Sequence, residues 1–129
     1  MEITTNRMNF WRYQAPAIVF AIMIFIVSSI PRVPLPDLAI GFEDKIGHVM
    51  AYTLLGFLIG RAIYFQYQVL VWQRNFYLLS IVLGSVYGVL DEFHQHFVPG
   101  RTADIYDTLA DVVGVLIGAT LFRMFINRK

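Results

Sequence analysis

Four long runs of apolar residues alternate with shorter polar segments along the chain. The runs occupy residues 14–30, 46–64, 76–97 and 104–126. Each is close to the ~20 residues that an α-helix needs to cross the hydrocarbon core of a membrane. The pattern therefore predicts an all-α, polytopic membrane protein, a bundle of four transmembrane helices formed by a single domain over residues 1–129.

Helix-breaking residues separate the first two runs and the last two. They are Pro31, Pro34, Pro36 and Gly41 after the first run, and Pro99 and Gly100 after the third. Proline removes a backbone donor and clashes with the preceding turn, so we expect loops at both places. The first run is longer than the core of a signal peptide and no A-x-A cleavage site follows it, so we expect an uncleaved spanning helix.

Composition agrees with a membrane protein and excludes several classes of function. The chain is 57% hydrophobic and 15% charged, whereas soluble domains have ~45–50% apolar and ~25% charged residues. It has no Cys, which excludes disulfides and thiolate metal sites. No phosphate-binding loop, dinucleotide fingerprint, nucleophile elbow or basic patch occurs, so we expect no nucleic-acid partner.

Basic residues are divided unequally between the two ends of the predicted bundle. With four spans, one end carries Arg7, Arg12, Arg61, Arg74, Arg123, Arg128 and Lys129, and the other carries Arg32, Lys45 and Arg101. The positive-inside rule then predicts a multi-pass protein of the cell membrane with both termini in the cytoplasm. Apart from Glu2, all the acids belong to the opposite end, so we expect the polar site to face outward.

Polar residues recur at helical spacing near the outer ends of spans two, three and four. Span two carries Asp44, Lys45, His48 and Tyr52; span three carries Gly84, Tyr87, Gly88, Asp91, His94 and Gln95, with Glu92 and His96 beside them; span four carries Asp104, Asp107, Asp111, Gly114 and Gly118. Such spacing places each set on one face of its helix. Ionisable groups are costly in hydrocarbon, so we expect the three faces to line one shared polar cavity.

The residue types in this cavity favour catalysis or substrate binding. We assign proton transfer to His48, Glu92 and His94, because His and Glu are common general acids and bases. Substrate binding is assigned to the remaining polar residues, Asp44, Lys45, Tyr52, Asp91, Gln95, Arg101 and Asp107. Alternatively, all these groups form a network that only joins the helices. For Arg101 we expect a salt bridge to a neighbouring carboxylate, with a ligand phosphate as the alternative partner.

A metal site is the weaker interpretation of the same residues. Glu92 and His96 are four residues apart on a helix, and His48 or His94 offers a third ligand. However, the zinc-protease pattern HExxH is absent, and His94 and His96 point to different sides of a helix. We therefore expect neither a metal nor another cofactor.

These motifs resemble those of the VanZ-like membrane proteins, a family named for a protein linked to teicoplanin resistance. The matching positions lie within residues 30–120 and comprise Asp44 to His48, Ala51, Tyr52, Leu55, Gly56, Asp91 to Gln95, Phe97 to Arg101, Asp107, Ala110 and Gly114. One position departs from the pattern, since the family usually has Asn where this chain has Asp111. The resemblance implies a small helical membrane domain associated with antibiotic resistance or the cell envelope.

Resemblance and polar pattern together give two main functional hypotheses, beside a third in which the chain is a small transport or scaffold subunit. In the first, the chain acts on a lipid-linked envelope component in the outer leaflet, such as a phosphate or glycan intermediate. In the second, it is a non-catalytic membrane protein that binds a glycopeptide or shields its target. Membrane lipid is a partner in both, and the sequence does not decide whether the chain is an enzyme.

Overall fold

Long helices dominate the computed structural model, which describes residues 9–32, 40–66 and 68–128, without the side chains of residues 40–43. A π-helical turn at Phe10–Gln14 continues into α1; the helices are α1 (Ala15–Ser28), α2 (Ile40–Tyr64), α3 (Leu70–Arg74), α4 (Phe76–Gln95) and α5 (Ile105–Asn127). Four segments are long and apolar enough to cross a membrane, namely Phe10–Ser28, Asp44–Tyr64, Phe76–Gln95 and Ile105–Asn127. The predicted all-α fold with four transmembrane helices is confirmed.

The helix ends differ from the prediction by a few residues, and the larger differences concern α2, α3 and α4. Helix α2 begins at Ile40, so Gly41 lies in a helical turn and not in a loop; the first N–H groups of a helix have no partner within it, so a poor helix former is tolerated there. Helix α4 ends at Gln95, and α3 interrupts the expected loop of residues 65–75. Arg7, Pro34, Pro36 and Lys129 lie outside the described residues.

The most extensive helix contact joins α2 to α5. Glycines allow their backbones to approach: a Cβ on Gly118 would lie 1.9 Å from the carbonyl oxygen of Thr53, and one on Gly56 would lie 2.6 Å from that of Val115. Small residues have this role where helices pack in lipid. Both helices start at the same end of the bundle, so their first turns lie side by side.

Helix α1 packs on the outside of this pair and is fixed by hydrogen bonds along its length. The Tyr87 hydroxyl donates to the carbonyl of Ala21 at 2.6 Å, and the Gln14 amide donates to the carbonyl of Ala62 at 3.1 Å. Large apolar side chains cover its outer face, where they suit contact with lipid. The position of α1 therefore depends on a few polar contacts to α2 and α4.

Substitution of Gly118 by Ala is expected to destabilise the bundle by ~1–3 kcal/mol, because the added methyl group overlaps the backbone of Thr53. Gly47→Ala is the matched control: no atom lies within 4 Å of a Cβ at this position on α2, so its effect should stay below ~1 kcal/mol. Equilibrium unfolding in lipid–detergent bicelles measures both. Equal losses for the two variants would contradict the close contact of α2 with α5.

Candidate functional site

The polar residues gather where α1 and α4 end and where α2 and α5 begin. At this end of the bundle the structure brings together Asp44, Lys45, His48, Tyr52, Asp91, Glu92, Gln95, Arg101 and Asp107, joined by Arg32, Asp104 and Asp111. Helices α2, α4 and α5 and the loops after α1 and α4 thus contribute to one polar region at one end of the bundle.

Ion pairs form the outer layer of this region. The Arg32 guanidinium binds both carboxylate oxygens of Asp44, with Nη1 2.9 Å from Oδ2. Lys45 Nζ donates to Asp104 Oδ2 at 3.0 Å and to Asp107 Oδ1 at 2.9 Å. Asp104 also caps α5, and the backbone N–H that it accepts, together with Lys45, lowers the pKa of its carboxyl group. Lys45 therefore links the first turns of α2 and α5.

The Arg101 guanidinium does not form the predicted salt bridge with a carboxylate anywhere in residues 9–32, 40–66 or 68–128. Instead Nη1 donates to Gln95 Oε1 at 3.1 Å, and Nη2 and Nε donate to the carbonyls of Val27 and Ile30 at 2.9 and 3.2 Å. Val27 lies in the last turn of α1, whose carbonyls have no donor four residues on within the helix, and Ile30 lies just beyond that turn. Burial lowers the pKa of Arg101, but a guanidinium stays charged.

Beneath the ion pairs lies a group of three side chains, the partly buried His48 and the buried Glu92 and Asp111, which we call the inner cluster. His48 Nδ1 lies 2.8 Å from Asp111 Oδ1, and Glu92 Oε2 accepts the backbone N–H of Asp104 at 3.2 Å. One N or O atom from each of the three lies within 4.8 Å of the other two. Glu92 is 4% exposed and Asp111 is 0% exposed, so solvent does not screen this cluster.

Three buried carboxyl oxygens have no hydrogen-bond partner in the described part of the chain: Asp91 Oδ1, Glu92 Oε1 and Asp111 Oδ2. The other oxygen of Asp91 accepts from the Tyr52 hydroxyl at 3.3 Å and from the Gln95 amide at 3.1 Å. Most buried polar atoms in proteins are hydrogen-bonded. These three oxygens are therefore available to a further partner.

Two adjoining cavities open next to these residues. The first has a volume of 330 Å³ and lies against α1; it is lined by Phe20, Met23, Ile24, Val27, Ser28, Arg32, Asp44, Gly47, His48, Ala51, Tyr52, Asp91, Gln95 and Arg101. The second, of 270 Å³, is polar and is lined by Arg32, Asp44, Lys45, Gln95, Gly100, Arg101, Thr102, Asp104 and Asp107. Arg32, Asp44, Gln95 and Arg101 line both, so an apolar and a polar compartment meet at these residues.

His94 lies apart from the inner cluster, although its helical spacing places it on the same predicted face. Its Nε2 atom is 2.9 Å from the Ser29 hydroxyl, and its ring packs on Phe25 with 4.6 Å between centroids. His96 lies beyond the end of α4, where it is exposed beside Phe97. The structure therefore brings His48 and Glu92 together and places His94 against α1.

Sequence reasoning assigned no function to three parts of this site. Asp111 belongs to the predicted face of α5, and its position one turn after Asp107 was the available signal. Arg32 lies in a loop, and nothing in the local pattern connects it with Asp44. The apolar wall from α1 was also missed, because a uniformly apolar run does not show which side faces a cavity.

Comparison with known proteins agrees with the motifs. The family model described as VanZ/LLP1 matches residues 4–126, nearly the whole chain. Neither the curated proteins nor the solved structures include a match.

Replacement of His48 by Leu is expected to destabilise the fold by ~3–5 kcal/mol, because it leaves the Asp111 carboxyl group buried without its partner. In the double variant His48→Leu/Asp111→Asn, a neutral amide replaces that carboxyl group, and we expect most of the loss to be recovered. Unfolding of the single and double variants in bicelles completes a double-mutant cycle. Additive losses would show that the two side chains do not interact.

Proposed function

The chain belongs to the VanZ-like family of membrane proteins, and on this premise we propose that it binds a lipid-linked envelope component in the two adjoining cavities. The apolar compartment beside α1 takes part of the lipid chain, and the polar compartment takes a phosphate-bearing head group. The main support is the set of shared lining residues, Arg32, Asp44, Gln95 and Arg101. They stand where the head group of an amphiphile joins its chain.

Arg101 is the residue best suited to bind the phosphate. Its charge is not matched by a carboxylate in a salt bridge within the described residues. Three of the five N–H donors of its guanidinium are in use, which leaves two for a ligand. A planar fork of N–H groups suits phosphate oxygens. Lys45 and Arg32 line the same compartment, but carboxylates already neutralise them.

We assign action on the bound head group to His48 and Glu92. His48 lines the apolar cavity at its polar end, and Glu92 lies behind it in the inner cluster. Tyr52 and Gln95 hold Asp91 in place next to them. His94 has no part in this assignment, because it is engaged with Ser29.

The second candidate is non-catalytic binding of a glycopeptide or shielding of its target. The ion pairs of Lys45 with Asp104 and Asp107 favour this candidate, because their charges are balanced without a ligand. Both candidates connect the chain to teicoplanin resistance, the association implied by the family name. Chemical conversion of a bound envelope lipid by wild-type protein, and its loss in Glu92→Gln, distinguishes the first candidate from the second.

The cavities are proposed to face the outside of the cell membrane, with both termini in the cytoplasm. The opposite end of the bundle carries Arg12, Arg61, Arg74, Arg123 and Arg128. Such an excess of basic residues is typical of the cytoplasmic side. In this orientation the head-group compartment opens to the outer leaflet.

Single cysteines test this orientation directly, because the chain has none of its own. Thr102 is exposed in the loop between α4 and α5, and Gln68 is exposed at the other end of the bundle. We expect Thr102→Cys to react with a membrane-impermeant maleimide in intact cells and Gln68→Cys to react only after lysis. The reverse pattern would overturn the proposed orientation.

Filling the apolar cavity should weaken binding of a long-chain prenyl phosphate. Met23 and Ile22 are 53% and 52% exposed on α1, but only Met23 lines the cavity. We expect Met23→Trp to reduce the affinity by ~10-fold or more, that is, by at least ~1.4 kcal/mol, and Ile22→Trp to leave it nearly unchanged. Binding is measured by microscale thermophoresis in nanodiscs. Equal affinities for the two variants would contradict a lipid chain in this cavity.

The head-group assignment is tested with the same lipids. Arg101→Gln should weaken binding of the prenyl phosphate but not of the corresponding prenol, which lacks the phosphate. Arg101→Gln also loses the hydrogen bonds to the carbonyls of Val27 and Ile30. Any displacement of α1 that results would weaken binding of both lipids, so only a loss confined to the phosphate reports on the head group. Parallel losses for phosphate and alcohol would show that Arg101 does not contact the head group.

A further inference from the structure

The polar region contains more acids than bases. Its carboxyl groups are Asp44, Asp91, Glu92, Asp104, Asp107 and Asp111, and its Lys and Arg side chains are Arg32, Lys45 and Arg101. The ion pairs satisfy Asp44 through Arg32, and Asp104 and Asp107 through Lys45. Asp91, Glu92 and Asp111 remain without a Lys or Arg partner among the described residues. Uncompensated charge at such depth is expensive, so an additional cation is expected there.

The hydrogen bonds single out the same three carboxyl groups. The residues that lack a Lys or Arg partner are also those with unpartnered oxygens, Asp91 Oδ1, Glu92 Oε1 and Asp111 Oδ2. Glu92 and Asp111 are 4% and 0% exposed, so bulk water does not satisfy these atoms. Asp111 Oδ1 has His48 Nδ1 at 2.8 Å, but Asp111 Oδ2 and Glu92 Oε1 have no partner among the described residues, so both atoms are available to a cation.

We propose that His48, Glu92 and Asp111 bind one divalent metal ion. One potential ligand atom from each residue lies within 4.8 Å of the other two. Ligands at ~2.0–2.2 Å from a common ion lie at most ~4.4 Å apart, which is close to this upper limit of 4.8 Å. An imidazole with two carboxylates suits Zn²⁺ or Mn²⁺ better than Mg²⁺ or Ca²⁺, which prefer oxygen ligands alone.

A second group of suitable residues, Asp44, His48 and Asp107, lies nearer the surface. It is the weaker candidate, because Arg32 already binds Asp44 and Lys45 already binds Asp107. A cation placed there would have to compete with both. In the inner cluster no Lys or Arg competes among the described residues, and the ion would replace only the contact of His48 Nδ1 with Asp111 Oδ1.

The inferred ion departs from the sequence-based expectation of no metal. That expectation considered Glu92 with His96, but His96 is exposed beyond the end of α4. The ligands in the structure come from α2, α4 and α5, one from each. No spacing within a single helix reveals such a set.

The ion would lie beside the apolar cavity, which His48 lines and which meets the head-group compartment at Arg32, Asp44, Gln95 and Arg101. A divalent ion held by His48, Glu92 and Asp111 would supply Lewis-acid chemistry toward phosphate oxygens. The metal site does not depend on the proposed function, because the ion can bind whether or not a lipid is present.

Metal titration of the purified full-length chain in nanodiscs tests the proposal. After EDTA treatment and its removal, Zn²⁺ binding is followed by calorimetry and Mn²⁺ binding by electron paramagnetic resonance. We expect one saturable site per chain, with affinity reduced ~10-fold or more in Glu92→Gln. Asp107→Asn is the matched control: it removes the same charge one turn from Asp111 and should bind the ion nearly as well as wild type.

Three results would overturn the inner-cluster site. The first is no saturable binding by wild type, and the second is equal affinity of wild type and Glu92→Gln. The third is selective loss of binding in Asp107→Asn, which would place the ion near the surface.

Thermal unfolding checks that Glu92→Gln is folded. We expect it to fold, because a Gln side chain at this position can still accept the backbone N–H of Asp104. The metal should raise the midpoint of wild type but not that of Glu92→Gln.

Lipid binding in EDTA separates the metal site from the proposed function. A chain that binds prenyl phosphate but no Zn²⁺ or Mn²⁺ would retain the proposed function and exclude the metal site. A chain that binds the ion at His48, Glu92 and Asp111 but no lipid would retain the metal site and exclude the proposed function.

Discussion

Backbone contact between α2 and α5 determines which side chains meet at the polar end of the bundle. Both helices run in the same direction from that end, and Gly118 lies directly against Thr53 deeper in the bundle. With the two axes this close, polar side chains on the facing turns have no room to avoid each other. They pair along one seam, Lys45 with Asp107 and then His48 with Asp111.

Local patterns predicted the fold because the thickness of a membrane sets the length of the helix that spans it. An apolar run of about 20 residues has few stable structures other than a spanning helix, so four runs produced four helices. Helical periodicity likewise placed Asp44, His48, Asp91 and Asp107 on inward faces. These are properties of single segments, and the sequence contains them in full.

Partners across helices could not be predicted in the same way. The sequence placed Arg101 among carboxylates, yet its donors reach carbonyls at the end of α1. His94 shares the face of Asp91, yet its ring turns toward Phe25. Relative rotation and depth of the helices decide such contacts, and these depend on packing between segments that are distant in the sequence.

Arg101 connects the end of α1 to the loop after α4, in addition to carrying a positive charge. It holds the carbonyls of Val27 and Ile30 while lining both compartments, and α1 forms one wall of the larger one. A ligand that took these donors for itself would release the carbonyls of Val27 and Ile30. Occupancy of the larger cavity and the position of α1 would then be coupled through one side chain.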